Sequence, residues 1–222
     1  MSRVLRIAVW WARDYAYAVR WQAQAFFSHT DPASFRTGTL SPIVVIPGVY
    51  ETWRFLLPLI ITMHDRGHPV HVIDPLKWNR RPVAEAAGAV TAYLEGHDLR
   101  DVVLVAHSKG GLVGKYVMSL GTGAARVTSM LAIAAPFGGS RFADFMVVPS
   151  LRAFRPADAT IIALSQELAV NPRIVSVYGQ FDPHIPKGSE LAGAKNVELD
   201  TGGHFRILAH PRVIAELAAL AE

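Results

Sequence analysis

Residues 102–111 read Val-Val-Leu-Val-Ala-His-Ser-Lys-Gly-Gly, and this stretch is the most informative about the fold. Its apolar first half predicts a buried strand, and the small residues that close it predict the start of a helix. A turn this tight needs small residues two positions before and two positions after its centre, here Ala106 and Gly110 around Ser108. Such a turn exposes the serine hydroxyl at the carboxyl end of a sheet, so Ser108 is a candidate nucleophile.

The composition is that of a globular chain, with 222 residues, 51% hydrophobic and 18% charged, and no cysteine. This length suffices for one domain with its own core. The lack of cysteine excludes disulfides, thiolate metal ligands and cysteine nucleophiles. The net charge is +4, and the four arginines and one aspartate of residues 1–30 supply +3 of it. Because a broad basic face and a recognisable module are both missing, we predict no nucleic-acid partner.

Residues 3–27 contain no proline or glycine and predict one long helix that is apolar over most of its circumference. Arg6, Arg13 and Arg20 recur every seven residues and share one stripe. Two interpretations stay open: a helix packed on the sheet or in a homodimer, and a helix lying in a membrane interface. No stretch reaches the ~20 apolar residues that span a bilayer, and the run 7–12 is short for a signal peptide. We expect a cytoplasmic protein, with peripheral membrane contact through residues 3–27 as the alternative.

After a linker rich in turn formers, strand and helix patterns alternate along the chain. Strand-like apolar runs lie at 43–46, 70–73, 102–106, 130–134, 174–178 and 196–199. Helical patterns lie at 52–66, 83–96, 109–120, 158–170 and 205–220. Together they predict an α/β fold, a doubly wound, mostly parallel six-stranded sheet with an added N-terminal helix. We divide the chain into the helix and linker, 1–40, and the α/β domain, 41–222, which includes a short cap segment at 136–156.

A serine hydroxyl is a poor nucleophile, so Ser108 needs a base and an acid that orients it. His204 follows the last strand in a glycine-rich turn, at the same edge of the sheet as the serine. Asp182 lies in the turn after strand 174–178 and is the favoured acid. Asp200 is its rival, although it precedes the histidine by only four residues. The alternatives are an exposed loop histidine and an aspartate that merely forms a turn.

Backbone N–H groups would stabilise the oxyanion that forms on the substrate. The expected donors are Lys109, at a helix N-terminus, and Val49, in the loop after the first strand. First and third strands are neighbours in a doubly wound sheet, so both loops would open at one crevice. The residues expected to contact substrate there are Tyr50, His107, Phe137 and Phe142. For the Lys109 side chain we consider solvent exposure, a pair with Glu51, or a place at the entrance that favours acidic or polar acyl groups.

Four metal-ligating side chains crowd one region of the chain: His64, His68, His71 and Asp74. Gly67 and Pro69 break the helical pattern between them, so the spacing of a helical zinc pair is not available. We therefore interpret them as surface and helix-end residues and predict no metal site.

Four segments in chain order resemble the α/β-hydrolases: Ile-Pro-Gly-Val-Tyr at 46–50, Ala-His-Ser-Lys-Gly at 106–110, Tyr-Gly-Gln-Phe-Asp-Pro at 178–183 and Gly-Gly-His-Phe at 202–205. With Ala-Pro-Phe-Gly-Gly-Ser at 135–140, they are most similar to small bacterial lipases and esterases. The resemblance covers about residues 41–222. It implies a triad of Ser108, Asp182 and His204, an oxyanion hole of the Val49 and Lys109 amides, and hydrolysis of a small acyl ester or lipid without a cofactor. An acyltransferase or thioesterase with the same triad, and a non-catalytic ligand-binding homologue, are the alternatives.

Overall fold

The computed structural model describes residues 2–27, 30–73 and 76–222. Its centre is a six-stranded sheet in the order β2-β1-β3-β4-β5-β6, and every neighbouring pair is parallel. The strands are β1 (Ile43–Ile46), β2 (Val70–Val72), β3 (Val102–His107), β4 (Val127–Ile133), β5 (Ile174–Phe181) and β6 (Lys195–Gly202). The prediction of a mostly parallel sheet in which the first and third strands are neighbours is confirmed.

The helices among the described residues are α1 (Arg3–Phe27), α2 (Leu57–His64), α3 (Val83–Gly96), α4 (Lys109–Ser119), α5 (Pro149–Arg152), α6 (Ala159–Gln166) and α7 (Pro211–Ala221). Short 3-10 turns occupy Pro32–Phe35, Trp53–Leu56, Ala124–Arg126, Arg141–Phe145, Asn171–Arg173 and Arg206–Ala209. The long N-terminal helix has the predicted bounds.

Proline divides two of the predicted helices. The pattern 52–66 forms a 3-10 turn followed by α2, with Pro58 in the first turn of that helix. The pattern 205–220 likewise forms a 3-10 turn and then α7, which begins at Pro211. Proline lacks the N–H that a helix interior needs and is accommodated in the first turn, so a new helix starts at each proline.

Two apolar cores cover the two faces of the sheet. Val44 of β1 packs in the core formed with α3, α4 and α6, while its neighbour Val45 packs in the core formed with α2 and α7. Successive side chains of a strand point to opposite faces, so continuous apolar strands require a core on each side. This doubly covered sheet brings the carboxyl ends of all six strands, and the loops that follow them, to one edge.

Helix α1 lies beside the carboxyl end of β6 and contacts the 3-10 turns Trp53–Leu56 and Arg206–Ala209. The indole of Trp10 is so close to Gly202 that a Cβ there would lie 2.5 Å from it. One face of the helix is thus packed against the α/β domain. Throughout the described residues, no helix combines the length and apolarity needed to cross a membrane.

His68 and His71 are buried, so the expectation of surface or helix-end residues is wrong for them; each has an ordinary hydrogen bond. The Nδ1 atom of His68 lies 3.0 Å from the carbonyl oxygen of Ser41, and that of His71 lies 3.3 Å from the Tyr93 hydroxyl. Burial lowers the pKa of His71 to about 4. Asp74, the fourth of these residues, lies outside the described residues.

Candidate active site

Ser108 occupies a strained turn between β3 and α4. Its φ of 51° and ψ of −121° fall outside the conformations that residues other than glycine usually adopt. Gly110 must be small because a Cβ at that position would lie 2.3 Å from the carbonyl oxygen of Ile46 in β1. The backbone N–H of Ser108 donates to the carbonyl of Ile133 over 2.9 Å. The turn is therefore clamped between two neighbouring strands, and Ser108 lines a cavity at their carboxyl ends.

His204 and Asp182 form a buried pair beside this cavity. His204 Nδ1 donates to Asp182 Oδ2 over 2.8 Å, and Asp182 Oδ1 accepts the backbone N–H groups of His184 and Ile185 over 2.7 and 3.0 Å. Burial disfavours the charged form of each partner, but their mutual attraction and hydrogen bond outweigh it. The pKa of Asp182 is consequently lowered and that of His204 is raised.

The structure brings Ser108 and His204 to the wall of the same cavity. Asp182 contacts the Nδ1 atom of the imidazole, so its other nitrogen, Nε2, is the candidate base. Asp200, the rival acid, is exposed on β6. Ser108 and His204 therefore line one cavity and Asp182 is bonded to His204, although β3, β5 and β6 bring them from distant parts of the chain.

The two predicted oxyanion loops flank Ser108. Val49 lines the cavity, in a loop where Tyr50 has a φ of 61° and donates its N–H to the carbonyl of Trp78 over 2.8 Å. Lys109 is the first residue of α4, so its amide belongs to the free N-terminal end of that helix. Val49 therefore lines the same cavity as Ser108, and Lys109 directly follows Ser108 in the chain.

The side chain of Lys109 is buried, with only 1% of its surface exposed. Its ammonium group donates to the carbonyl oxygens of Asn79, over 2.7 Å, and of Arg81. Burial lowers its pKa to about 8. All three expectations for this side chain are wrong, because the segment that includes residues 79–81 covers the start of α4 and offers carbonyl acceptors there.

Glu51 is a further acidic residue of the site, and the sequence motifs did not identify it as one. Its Oε2 accepts the Gly48 N–H over 2.8 Å and lies 2.8 Å from His107 Nδ1. The other ring nitrogen of His107, Nε2, lies 3.0 Å from the carbonyl oxygen of His204. Through His107, one buried carboxylate therefore connects the loop after β1, the end of β3 before Ser108, and the loop that carries His204. The nearby Gly48 and the histidine before the serine were its only sequence signals.

The cavity measures about 620 Å³ and its wall is mostly apolar. Its lining combines Trp11 and Tyr15 of α1, Val49 and Tyr50, Phe205, and several cap-segment residues: Pro136, Ser140, Phe142, Ala143, Met146, Leu151 and Phe154. The Tyr50 hydroxyl lies 2.9 Å from that of Ser150, which links the oxyanion loop to the cap. Residues 136–156 therefore border the space in front of Ser108.

Of the four predicted substrate contacts, Tyr50 and Phe142 line this cavity, whereas His107 and Phe137 do not. His107 is completely buried, and both of its ring nitrogens are engaged in the hydrogen bonds described above. Phe137 is buried in the core on the α3 and α4 side, with Lys115 Nζ 6.0 Å from its ring centre. The structure corrects both expectations, since proximity in sequence to a site residue does not make a side chain point into the cavity.

Asp14 of α1 is the least expected residue of the site. It is completely buried, and its carboxylate accepts the backbone N–H groups of His204 (3.0 Å), Phe205 (2.8 Å) and Arg206 (2.8 Å). It thereby caps the 3-10 turn Arg206–Ala209 that follows the histidine. Position 203 requires glycine because its φ is 127° and because a Cβ there would lie 2.5 Å from the Oδ1 atom of Asp14. The signal for this contact was a single acid in an otherwise basic and apolar helix.

His184 packs against the ring of His204, with their ring centres 4.7 Å apart. Burial lowers its pKa to about 4, so the ring is neutral at physiological pH. Its Nε2 lies 3.3 Å from the Tyr15 hydroxyl, and its carbonyl accepts the Ser140 hydroxyl over 2.7 Å. His184 therefore joins α1, the cap segment and the acid-bearing loop around the cavity.

No protein-family model and no curated protein matches the chain in sequence. Its structure is similar to that of lipase BlEst2 from Bacillus licheniformis in mature form, with a TM-score of 0.70 and 15% identity over 88% of this chain and 95% of that one. An extracellular α/β-hydrolase from a Paenibacillus species gives 0.57 and 19% over 82% and 98%. An esterase, EaEST, from Exiguobacterium antarcticum gives 0.58 and 12% over 83% and 93%. The chain therefore has the α/β-hydrolase fold, as its four motifs predicted.

Proposed function

We propose that this protein is a serine hydrolase that cleaves carboxylic esters of apolar acyl groups through an acyl-enzyme at Ser108. One observation carries the proposal. Ser108, on a strained turn, opens into the same apolar cavity as His204, whose other nitrogen is bonded to the buried carboxylate of Asp182. A serine, a base and an acid that orients the base are the parts that acyl transfer needs.

In this proposal His204 Nε2 removes the Ser108 proton while the serine oxygen attacks the ester carbonyl. The Val49 and Lys109 amides donate to the oxyanion that develops. The alcohol then leaves with the proton held by His204, and water attacks the acyl-enzyme in the same way. Asp182 keeps the Nδ1–H tautomer in place and stabilises the charged imidazole, which agrees with the direction of both pKa shifts.

The apolar cavity wall supports an apolar acyl group as the specificity determinant. Aromatic and aliphatic side chains from α1 and the cap segment surround Ser108, and the buried Lys109 ammonium does not reach the cavity lining. An acidic acyl chain would lose its hydration there without gaining a cation partner. The similar solved structures include a lipase and an esterase, which is consistent with this substrate class.

A fluorophosphonate probe tests the nucleophile, because it reacts covalently with activated serines. We expect labelling of the wild type, none of Ser108→Ala, and normal labelling of Ser165→Ala, which changes an exposed serine on α6. In parallel assays with nitrophenyl esters from acetyl to dodecanoyl, Ser108→Ala should lower kcat/KM about a thousandfold or more. Wild-type protein that is neither labelled nor active would overturn the proposal in favour of a non-catalytic binding role.

Adding an alcohol acceptor to the same assay separates hydrolysis from acyl transfer, because both pass through one acyl-enzyme. We expect water to remain the main acceptor, with free acid as the product. Ester formed in preference to free acid would assign the chain to acyl transfer while leaving the roles of Ser108, Asp182 and His204 intact.

A further inference from the structure

Four rings in the cavity wall form one connected group, which we call the aromatic cluster: Trp11, Tyr15, His184 and Phe205. The centre of the Tyr15 ring lies 5.7 Å from that of Trp11, and 6.0 Å from that of His184. It also lies 6.5 Å from that of Phe205. Two rings of the cluster belong to α1, and the other two belong to the loops after β5 and β6. The N-terminal helix therefore completes a wall that the sheet loops begin.

The aromatic cluster packs directly on the candidate base. The ring centres of His184 and Phe205 lie 4.7 and 4.9 Å from that of His204. From the cap segment, the Ser140 hydroxyl bonds to the His184 carbonyl, but among the described residues no phenyl ring of the cap contacts the imidazole. The wall beside His204 is therefore the aromatic cluster, whereas the cap segment borders the cavity elsewhere.

The proposed reaction fixes which part of an ester lies beside the base. His204 Nε2 gives its proton to the oxygen of the leaving alcohol, so that oxygen must lie within hydrogen-bond distance of the imidazole. The oxyanion faces the Val49 and Lys109 amides instead. The acyl chain takes the remaining direction from the carbonyl carbon. The first carbons of the alcohol therefore lie next to the rings that pack on His204.

The two α1 rings keep free surface for a ligand. Trp11 is 52% exposed and Tyr15 is 42% exposed, and both line the cavity. Aromatic rings attract one another in edge-to-face and offset arrangements, in addition to the gain from burying their apolar surface. A saturated ring of similar size gains from burial alone. A wall of this composition therefore favours an aromatic alcohol over a saturated one.

We propose that the aromatic cluster binds the alcohol part of the ester and selects aryl-substituted alcohols, such as benzyl alcohol, over saturated alcohols of similar size. This inference rests on the proposed function, because it assigns the leaving-group side of the same site. It makes Trp11 and Tyr15 specificity-determining residues, and it leaves the cap side of the cavity for the acyl chain.

Two matched pairs of esters test the assignment. The alcohol pair is benzyl butanoate and cyclohexylmethyl butanoate, and the acyl pair is ethyl phenylacetate and ethyl cyclohexylacetate. We expect the wild type to prefer benzyl butanoate about three- to tenfold in kcat/KM. Trp11→Leu and Tyr15→Leu should each reduce this preference without changing the ratio within the acyl pair. Tyr15→Phe, which keeps the ring, should retain the preference, and so should Phe26→Leu, which changes an exposed ring of α1 that does not line the cavity.

Transfer of the acyl group to an added alcohol tests the same side of the site in the reverse direction. The alcohol oxygen attacks the carbonyl carbon of butanoyl-Ser108, and His204 takes the hydroxyl proton. The bond to Ser108 Oγ then breaks, and Oγ recovers that proton. At equal concentrations, benzyl alcohol should capture more of the butanoyl group than cyclohexylmethanol does, and Trp11→Leu should bring the two yields together.

Binding of the two alcohols to Ser108→Ala, measured by ligand-observed NMR, separates this inference from the proposed function because it needs no turnover. We expect tighter binding of benzyl alcohol, and Trp11→Leu in the same background should reduce the difference. Ester hydrolysis without a preference in the alcohol pair would overturn the inference and leave the proposed function standing. A preference confined to the acyl pair and removed by Trp11→Leu would place the cluster on the acyl side and overturn it as well. If the wild type hydrolysed no ester, the proposed function would fail, and equal binding of the two alcohols would then refute the aromatic site too.

Discussion

The contact between Asp14 and the histidine loop makes α1 part of the candidate active site, and the effect of breaking this contact has a predictable size. Replacement by alanine leaves three N–H donors without this acceptor, that of His204 buried and those of Phe205 and Arg206 partly buried, and an unpaired buried donor costs about 1–3 kcal/mol. Allowing for some water entry, we expect Asp14→Ala to destabilise the chain by about 4 kcal/mol. Asp14→Asn can keep the two bonds made by Oδ1 but places an amide N–H against that of His204, so we expect about 2 kcal/mol.

The asparagine variant is the more informative of the two because it should stay folded. Asp14 does not line the cavity, so its loss should lower kcat rather than raise KM. A small displacement of His204 should lower kcat by about ten- to a hundredfold. The measurement is steady-state hydrolysis of a soluble nitrophenyl ester, with urea unfolding in parallel.

The pH profile of kcat/KM for Asp14→Asn gives a second readout. It should not change if Asp14 has only a structural role. Burial works against charge on His204, and the carboxylates of Asp182, Glu51 and Asp14 outweigh it, so its pKa lies above the ordinary 6.5. The base must be neutral to accept a proton, so activity should rise with pH through that pKa. Removal of the Asp14 charge lowers the pKa of His204, and the acid limb of kcat/KM should move to lower pH.

Asp158 offers a matched control, since its carboxylate also caps a helix, accepting the Thr160 N–H over 2.9 Å at the start of α6. Asp158→Ala should cost about 1 kcal/mol of stability and leave kcat and the acid limb unchanged. The reasoning fails if Asp14→Asn is folded yet retains both the wild-type kcat and the wild-type acid limb.

Three further changes test other buried contacts of the site. Between about pH 8 and 10.5 the folded chain holds fewer protons at Lys109 than the unfolded chain, so the stability of the wild type, measured by urea unfolding, should rise with pH relative to that of Lys109→Met. Parallel stability curves for the two proteins would contradict this. An altered acyl preference of Lys109→Met would contradict the buried position of the ammonium. Glu51→Ala should lower kcat about tenfold or more by freeing the oxyanion loop, whereas Glu51→Gln, which retains an acceptor oxygen, should be milder; equal rates would show that the link has no catalytic effect. Gly203→Ala should abolish the close approach of Asp14 and destabilise the fold in thermal melts, while Gly88→Ala, in open space on α3, should stabilise by about 0.5–1 kcal/mol.

The sheet and the pair beside it were predictable because their signals are local. Continuous apolar runs identify buried strands, and the small residues around Ser108 identify the turn regardless of what packs on it. Asp182 and His204 each follow a strand, and parallel strands end at one edge. Side chains placed by such rules converge without knowledge of any long-range contact.

Side-chain directions could not be predicted, because they depend on what covers each element. The sequence alone predicts that Lys109 is a surface cation. In the structure its ammonium group is buried and donates to the carbonyls of Asn79 and Arg81. His107 adjoins the nucleophile in sequence, yet a strand alternates its side chains, so it points away from the serine side to Glu51. Asp14 precedes its partners by 190 residues or more and has no local signal beyond its isolation among apolar neighbours.

The two faces of α1 have separable effects, and this changes how its deletion should be interpreted. Its inner face holds His204 through Asp14, while Val19 and Phe26 on its outer face are exposed. A truncated chain would lose both faces at once, so a loss of activity after truncation would not show which face matters. Asp14→Asn should lower kcat, whereas Phe26→Ser should leave kcat unchanged. If Phe26→Ser lowered kcat as much as Asp14→Asn, α1 would act as a single structural element, and the division between its two faces would be wrong.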